Sequence, residues 1–232
     1  AAAQHVGAWL HPEAMDALEG LGVDLVPPVG YPTGKGFVLY PEDGTEPVAL
    51  PYRVGRFGFS LPHGLLVETL RQHCEADEAI TLRTPVRASR VDADTVTWQE
   101  RGRPRSARVS HLVFAAGADV QLVRRGEGAY AFGAVERPPT HRIASLDLVG
   151  ARLPFEGFRH VFVGGSGVAV AHRVGPATVR LALDVPLGWR VPREGGVALL
   201  EAYSPALPEE LVEPFADALR RGAPSWSHGR IQ

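Results

Sequence analysis

Cysteine is almost absent. Cys74 is the only one, so the chain can form neither an internal disulfide nor a thiolate metal cage. No apolar run reaches the roughly 18 residues that a membrane-crossing helix needs. The opening stretch AAAQHVGAWLHPEA has neither a basic start nor a long apolar core and makes a poor signal peptide, so a cytoplasmic location is expected. Basic charge is not in surplus: Lys+Arg is 24 against 26 Asp+Glu, a net charge of -2, and Lys35 is the sole lysine. A nucleic-acid binder would carry a basic excess or a basic stripe. Histidines are spaced badly for a metal, with His5 and His11 six apart and His63 and His73 ten apart. G-x-G-x-x-G and Walker fingerprints are missing, and Lys35 in GYPTGKG lacks the Walker spacing. VGGSGVA misses the last glycine of a nucleophile elbow at Val168, so Ser166 reads as part of a glycine turn. His73 and Cys74 are neighbours on a predicted helix and point apart, which leaves Cys74 a packed or half-buried thiol.

What is present is a loop-rich mixed domain, with 26 glycines and 20 prolines. HPEAMDALEGLG predicts a helix entered at Pro12 and ended at Gly22. GFVLYPEDGTEPVALPY predicts strands Phe37–Tyr40 and Pro47–Leu50 around an Asp43-Gly44 turn. A second helix is expected from Pro62 to Ala76, with Leu66, Leu70 and His73 on one face. Strands are expected in AITLR and on either side of Asp92–Asp94, and RGRPRSAR reads as a solvated turn. HLVFAA is a continuous apolar strand of the kind buried in parallel sheets. In TVRLALDV, Val179, Leu181, Leu183 and Val185 alternate with Thr178, Arg180, Ala182 and Asp184, a period of two. A last helix from Pro208 to Arg221 carries Leu211, Val212, Phe215, Ala218 and Leu219 as its stripe. The chain thus divides into an α/β-like part up to about residue 125 and an antiparallel part from about 130 to 205. A cleft between two such layers is a usual ligand site.

Four segments in order carry a resemblance: GAWLHPEAMDALEGLGV at 7–23, HGLLVETLRQHC at 63–74, HLVFAAGADVQLVRR at 111–125 and HVFVGG…AHRVGPATVRLALDVP at 160–186. Together they resemble the middle of class A FAD-dependent monooxygenases, the aromatic-hydroxylase and squalene-epoxidase-like enzymes. In that family a G-x-G-x-x-G unit would precede Ala1 and a Gly-Asp segment would follow Gln232. The resemblance therefore implies the interior of a longer protein: a truncation, a proteolytic product or an incomplete gene. The implied fold is α+β or α/β, part of a three-layer flavin-binding domain combined with a mostly antiparallel substrate domain. Its implied division is 1–125 for an incomplete FAD-type domain, 126–205 for the substrate domain, and 206–232 for a helix returning to the first.

The resemblance also assigns residues. The cofactor side would take His5, His63, Val86, Ala116, Gly117 and Asp119. Ala116 stands at the usual aspartate position of the family's Asp-Gly motif and Gly117 at the glycine; a second placement uses Ala118-Asp119 instead. Gln4 and His5 stand where the family carries an arginine. His172 and Arg180 either contact substrate or lie on a solvated sheet face. The cofactors implied are FAD and, for the complete protein, NAD(P)H, with the oxygen step carried by a flavin C4a-hydroperoxide and the protein positioning substrate and excluding water. The implied activity is insertion of one oxygen atom from O2 into an apolar aromatic or polyene small molecule, as in secondary metabolism. The alternative is a non-catalytic small-molecule-binding or interaction module derived from that fold. The partners expected are a small molecule and the remainder of the polypeptide, with neither nucleic acid nor an integral membrane segment.

Overall fold

The computed structural model describes residues 8–26, 29–92, 94–113, 141–189, 195–221 and 226–231. In chain order its elements are β1 (Ala8–Leu10), α1 (Pro12–Gly20), β2 (Thr33–Gly34), β3 (Gly36–Tyr40), β4 (Val48–Pro51), β5 (Gly58–Leu61) and α2 (His63–Ala76). Then come β6 (Arg87–Val91), β7 (Thr95–Glu100), β8 (Arg103–Arg108), β9 (His141–Val149), β10 (Phe158–Phe162), β11 (Ala169–Gly175) and β12 (Thr178–Pro186). The chain continues with α3 (Gly196–Tyr203), a 3-10 turn at Ser204–Ala206, α4 (Glu209–Arg221) and β13 (Trp226–Ile231). Two compact units result, one from residues 1–73 with 139–231 and one from 74–138.

The larger unit is built on a seven-stranded sheet in the order β13-β9-β12-β11-β10-β3-β4. All of its pairs are antiparallel except β3 with β10, where Val38 stands opposite His160. A parallel pair cannot be closed by a hairpin and needs a long crossover. Here the crossover is residues 41–157, which contain the whole of the smaller unit. β3 and β4 thus belong to the same sheet as β9 to β12.

One face of the sheet is dry. The period of two in β12 puts Val179, Leu181, Leu183 and Val185 on it, all 0% exposed. Val38, Phe162, Ala144, Leu146 and Leu148 join them from neighbouring strands. The cover comes from Leu199, Leu200 and Tyr203 of α3 and Leu211, Phe215, Ala218 and Leu219 of α4. Glu209 and Glu210 at the start of α4 and Arg220 and Arg221 at its end both match the helix dipole. The Tyr203 hydroxyl donates to the Asp184 carbonyl, which ties α3 to β12.

A three-stranded sheet, β1-β5-β2, belongs to the same unit. A Cβ on Gly58 would lie 2.2 Å from the Leu10 carbonyl oxygen, so only glycine lets β5 approach β1 this closely. Helix α1 begins at Pro12 and closes as predicted at Gly22, whose φ is 75°. Its end is a Schellman cap, with Val23 N–H bonded to Leu18 O and Gly22 N–H to Glu19 O.

The smaller unit holds the meander β6-β7-β8. RGRPRSAR departs from expectation: only Arg101 (φ 50°) and Gly102 (φ 74°) turn, and Arg103–Arg108 forms strand β8 with every residue exposed. The proline and charges are those of an edge strand. AITLR forms no strand. Arg83 instead lies over the Trp98 ring at 5.3 Å, and both Arg83 and Arg105 reach Glu100. The strand expected in HLVFAA falls largely outside the described residues.

Phe215 is fully buried between α4 and the sheet. Phe215→Ala is expected to cost about 3–5 kcal/mol, read as a fall in the urea midpoint. Val54→Ala, at a fully exposed side chain, is expected to stay within about 0.5 kcal/mol.

Candidate functional site

The second face of the large sheet is different. Strand register lines up Phe37 opposite Arg159, His172 opposite Arg180, and Arg180 opposite Asp147. The β10–β11 register, Val161 with Val170 and His160 with Ala171, sets Arg159 beside His172 one step further on. One row therefore runs Phe37, Arg159, His172, Arg180, Asp147 across five strands. Next to it on the same face are half-buried Val161, Val170 and Ala182 and buried Ser145, and one row further on are half-buried Asp184 and Ile143.

The row is buried and short of acceptors. His172 is 2% exposed and Arg180 7%. Asp147 takes Arg180 in a fork, Nε to Oδ1 at 2.7 Å and Nη2 to Oδ2 at 2.8 Å. Among the described residues, Arg180 Nη1, Arg159 Nε and both ring nitrogens of His172 are buried and have no hydrogen-bond partner. No carboxylate among the described residues pairs with Arg159. Burial is the main force on the His172 imidazole, and Arg159 and Arg180 add to it, bringing its pKa down to about 3. The imidazole is therefore neutral at pH 7. Burial also lowers the Arg159 guanidinium, partly offset by Tyr52.

An aromatic layer lies over one end of the row. Trp9 meets His172 edge-on at 5.5 Å between ring centroids and lies 6.3 Å from Phe37. His11 stacks on Phe37 at 5.5 Å. The Trp9 indole N–H donates to the Tyr52 hydroxyl at 2.9 Å, and that oxygen lies 2.8 Å from His11 Nδ1. Pairing of β1 with β5 puts Trp9 there, and the bond from Tyr52 N–H to the Lys35 carbonyl sets Tyr52. A cavity of about 380 Å3, lined by Pro12, Glu13, Tyr52, Arg53 and Arg56, adjoins this cluster.

Of the residues assigned from sequence, His172 and Arg180 are brought together as direct cross-strand partners. Their burial excludes the solvated-face alternative. His5, Ala116, Gly117 and Asp119 lie outside the described residues. His63 opens α2, half-buried, and Val86 is half-buried just ahead of β6. Sequence reasoning missed Arg159, Asp147 and the aromatic layer. The second positions of FRHVF and AHRV, Arg159 and His172, are neighbours only once the register of β10 with β11 is known. Ser166 sits in the turn between β10 and β11, with Gly164 and Gly165 at φ 126° and 64°. No group of three or more His, Cys, Asp or Glu placed to hold a metal occurs among the described residues. None of their helices is long and apolar enough to cross a membrane.

A second buried histidine serves as a contrast. His160 faces the dry side, 0% exposed, and both of its nitrogens are used, one accepting from Phe155 N–H and one bonded to the Phe158 carbonyl. Burial brings its pKa down to about 4. Both histidines thus have folded values below the ordinary 6.5, so the unfolded chain takes up protons first as pH falls. Stability is expected to be full above about pH 6.5 and to fall from there toward pH 4, by roughly 1.4 kcal/mol per pH unit for each histidine. Urea midpoints at pH 7.5, 6 and 5 measure this, and His160→Gln or His172→Gln is expected to flatten the slope.

No family model matches the sequence, and no curated protein matches it. Solved structures do. The myxobacterial chondrochloren halogenase, described as a variant of FAD-dependent halogenases, is similar with a TM-score of 0.72 at 15% identity, over 99% of this chain and 56% of its own. The p-nitrophenol 4-monooxygenase of Pseudomonas putida is similar with a TM-score of 0.65 at 13% identity, over 96% of this chain and 57% of its own. A geranylgeranyl bacteriochlorophyll reductase-like protein of Thermoplasma acidophilum gives 0.66 at 11% identity, over 98% and 55%. The chain spans a little over half the length of these structures. It shares with them a mixed α/β fold that includes a largely antiparallel sheet.

Proposed function

We propose that the chain is the substrate-side portion of a flavin-dependent monooxygenase acting on a mostly apolar small molecule with a ring or polyene skeleton. One atom of O2 enters the substrate and the other leaves as water, with two electrons from NAD(P)H. FAD, when bound by the complete protein, supplies the oxygen chemistry. The part played by this chain is to hold and orient the substrate and keep water from it.

The observation that carries this reading is the second face of the large sheet. It offers half-buried Val161, Val170, Ala182 and Ile143, an aromatic layer at Trp9 and Phe37, the row of Arg159, His172, Arg180 and Asp147, and further along the polar Ser145 and Asp184. A mainly apolar wall with a few convergent polar groups is what a small-molecule site requires. The fold supports the flavin. The solved structures of that fold include halogenases and a p-nitrophenol monooxygenase, and the choice of oxygenation over halogenation rests on the resemblance of the four segments to the monooxygenases.

Expression of the gene with its flanking coding sequence, followed by NAD(P)H consumption over a substrate panel and product mass, tests the activity. The expected result is a product with one added oxygen from an apolar ring or polyene substrate. Turnover of small, highly charged substrates only would overturn it. The 232-residue chain alone is expected to lose FAD on desalting, because the pyrophosphate in such folds is held by a glycine-rich helix start. Stoichiometric flavin absorbance after desalting would contradict that.

A further inference from the structure

Resting on the reading of the second face as the substrate side, we propose that the row Arg159, His172, Arg180 binds one carboxylate group of the ligand. The apolar body of that ligand then lies against Val161, Val170 and Ala182.

Charge is the first argument. Within the row, Arg159 and Arg180 are cations, Asp147 is the one anion and His172 is neutral. Asp147 spends both oxygens on Arg180, so one positive charge is left over. A cation in such a place is costly without an anion beside it. Hydrogen bonding is the second. Arg180 Nη1 and Arg159 Nε are N–H groups without acceptors, and they flank an imidazole that has an N–H of its own to give. Buried donors of this kind are nearly always matched, and the unmatched ones mark a missing group. A carboxylate is planar, accepts only, and suits guanidinium N–H groups arriving from two sides. A dianion would leave a net negative charge in the row, and a metal ion would face two guanidinium groups. A monoanion closes the charge and accepts from the three orphan N–H donors, leaving the unprotonated ring nitrogen of His172 as an acceptor still to be matched. His160 shows what a purely structural histidine looks like in the same sheet, with both nitrogens bonded inside the fold.

Benzoate and benzamide are probes of matched shape that differ in charge. Each is titrated into the flavin-free 232-residue chain at pH 7.5, with thermal unfolding and calorimetry as readouts. Benzoate is expected to bind at least about tenfold more tightly than benzamide, the discrimination that one charge-assisted hydrogen bond carries. Arg159→Gln is expected to bring benzoate down to the level of benzamide. Should that variant fail to fold, the 15N signals of the His172 ring in the unaltered chain decide, and benzoate is expected to move them. Equal affinity for the two probes, no response to benzoate, the same response to chloride, or unmoved His172 signals would each overturn the proposal. Flavin is absent from every arm, so loss of the oxygenase reading and loss of the carboxylate site give separate results.

Discussion

The parallel ladder between β3 and β10 is the constraint on which the larger unit depends. It joins a segment near residue 40 to one near residue 160 and so commits 41–157 to a crossover. Without it β3 and β4 would be an isolated hairpin, which is marginal in water. The same ladder brings Phe37 opposite Arg159. It thereby sets the end of the polar row over which the aromatic layer lies. Gly36 makes the neighbouring contact possible: its φ is 145°, and a Cβ there would meet the Leu50 carbonyl oxygen at 2.3 Å.

The two faces of this sheet divide its tasks. The dry face obtains its stability from apolar area removed from water, with α3 and α4 supplying the cover. On it, His160 is hydrogen-bonded at both nitrogens and stacks on Tyr40. The second face carries the opposite kind of histidine. His172 is equally dry, is unbonded among the described residues, and is kept neutral by its burial, to which the two guanidinium groups beside it add. The two histidines are alike in burial and differ in the fate of their hydrogen bonds.

The fold likeness fits this division. The matched solved structures bear the names of halogenases, a monooxygenase and a reductase-like protein. A common scaffold that serves different chemistries leaves specificity to the side chains on its ligand-facing surfaces. On the second face of this sheet, half-buried aliphatic side chains adjoin a row that holds two guanidinium groups, one carboxylate and one neutral imidazole.

Local patterns alone determined much. Pro12 and Gly22 marked α1, the Asp43-Gly44 turn marked the β3–β4 hairpin, and the alternation in TVRLALDV marked β12, because each depends on neighbours in the chain. The ordered segments also pointed to a fold that the chondrochloren halogenase and the p-nitrophenol 4-monooxygenase share with this chain. The same patterns failed at β8, where charge and Pro104 concealed an edge strand, and at β13, which exists by pairing with β9. Arg180 and His172 were visible as candidates, yet their burial and adjacency were not, since both follow from register between strands. Arg159 and Asp147 had no local signal at all. Sequence specifies which face of its own strand a side chain takes, because Cβ direction alternates along the backbone. Which charges then meet across five strands is decided by long-range pairing, and that is where tertiary structure alone assembled the row.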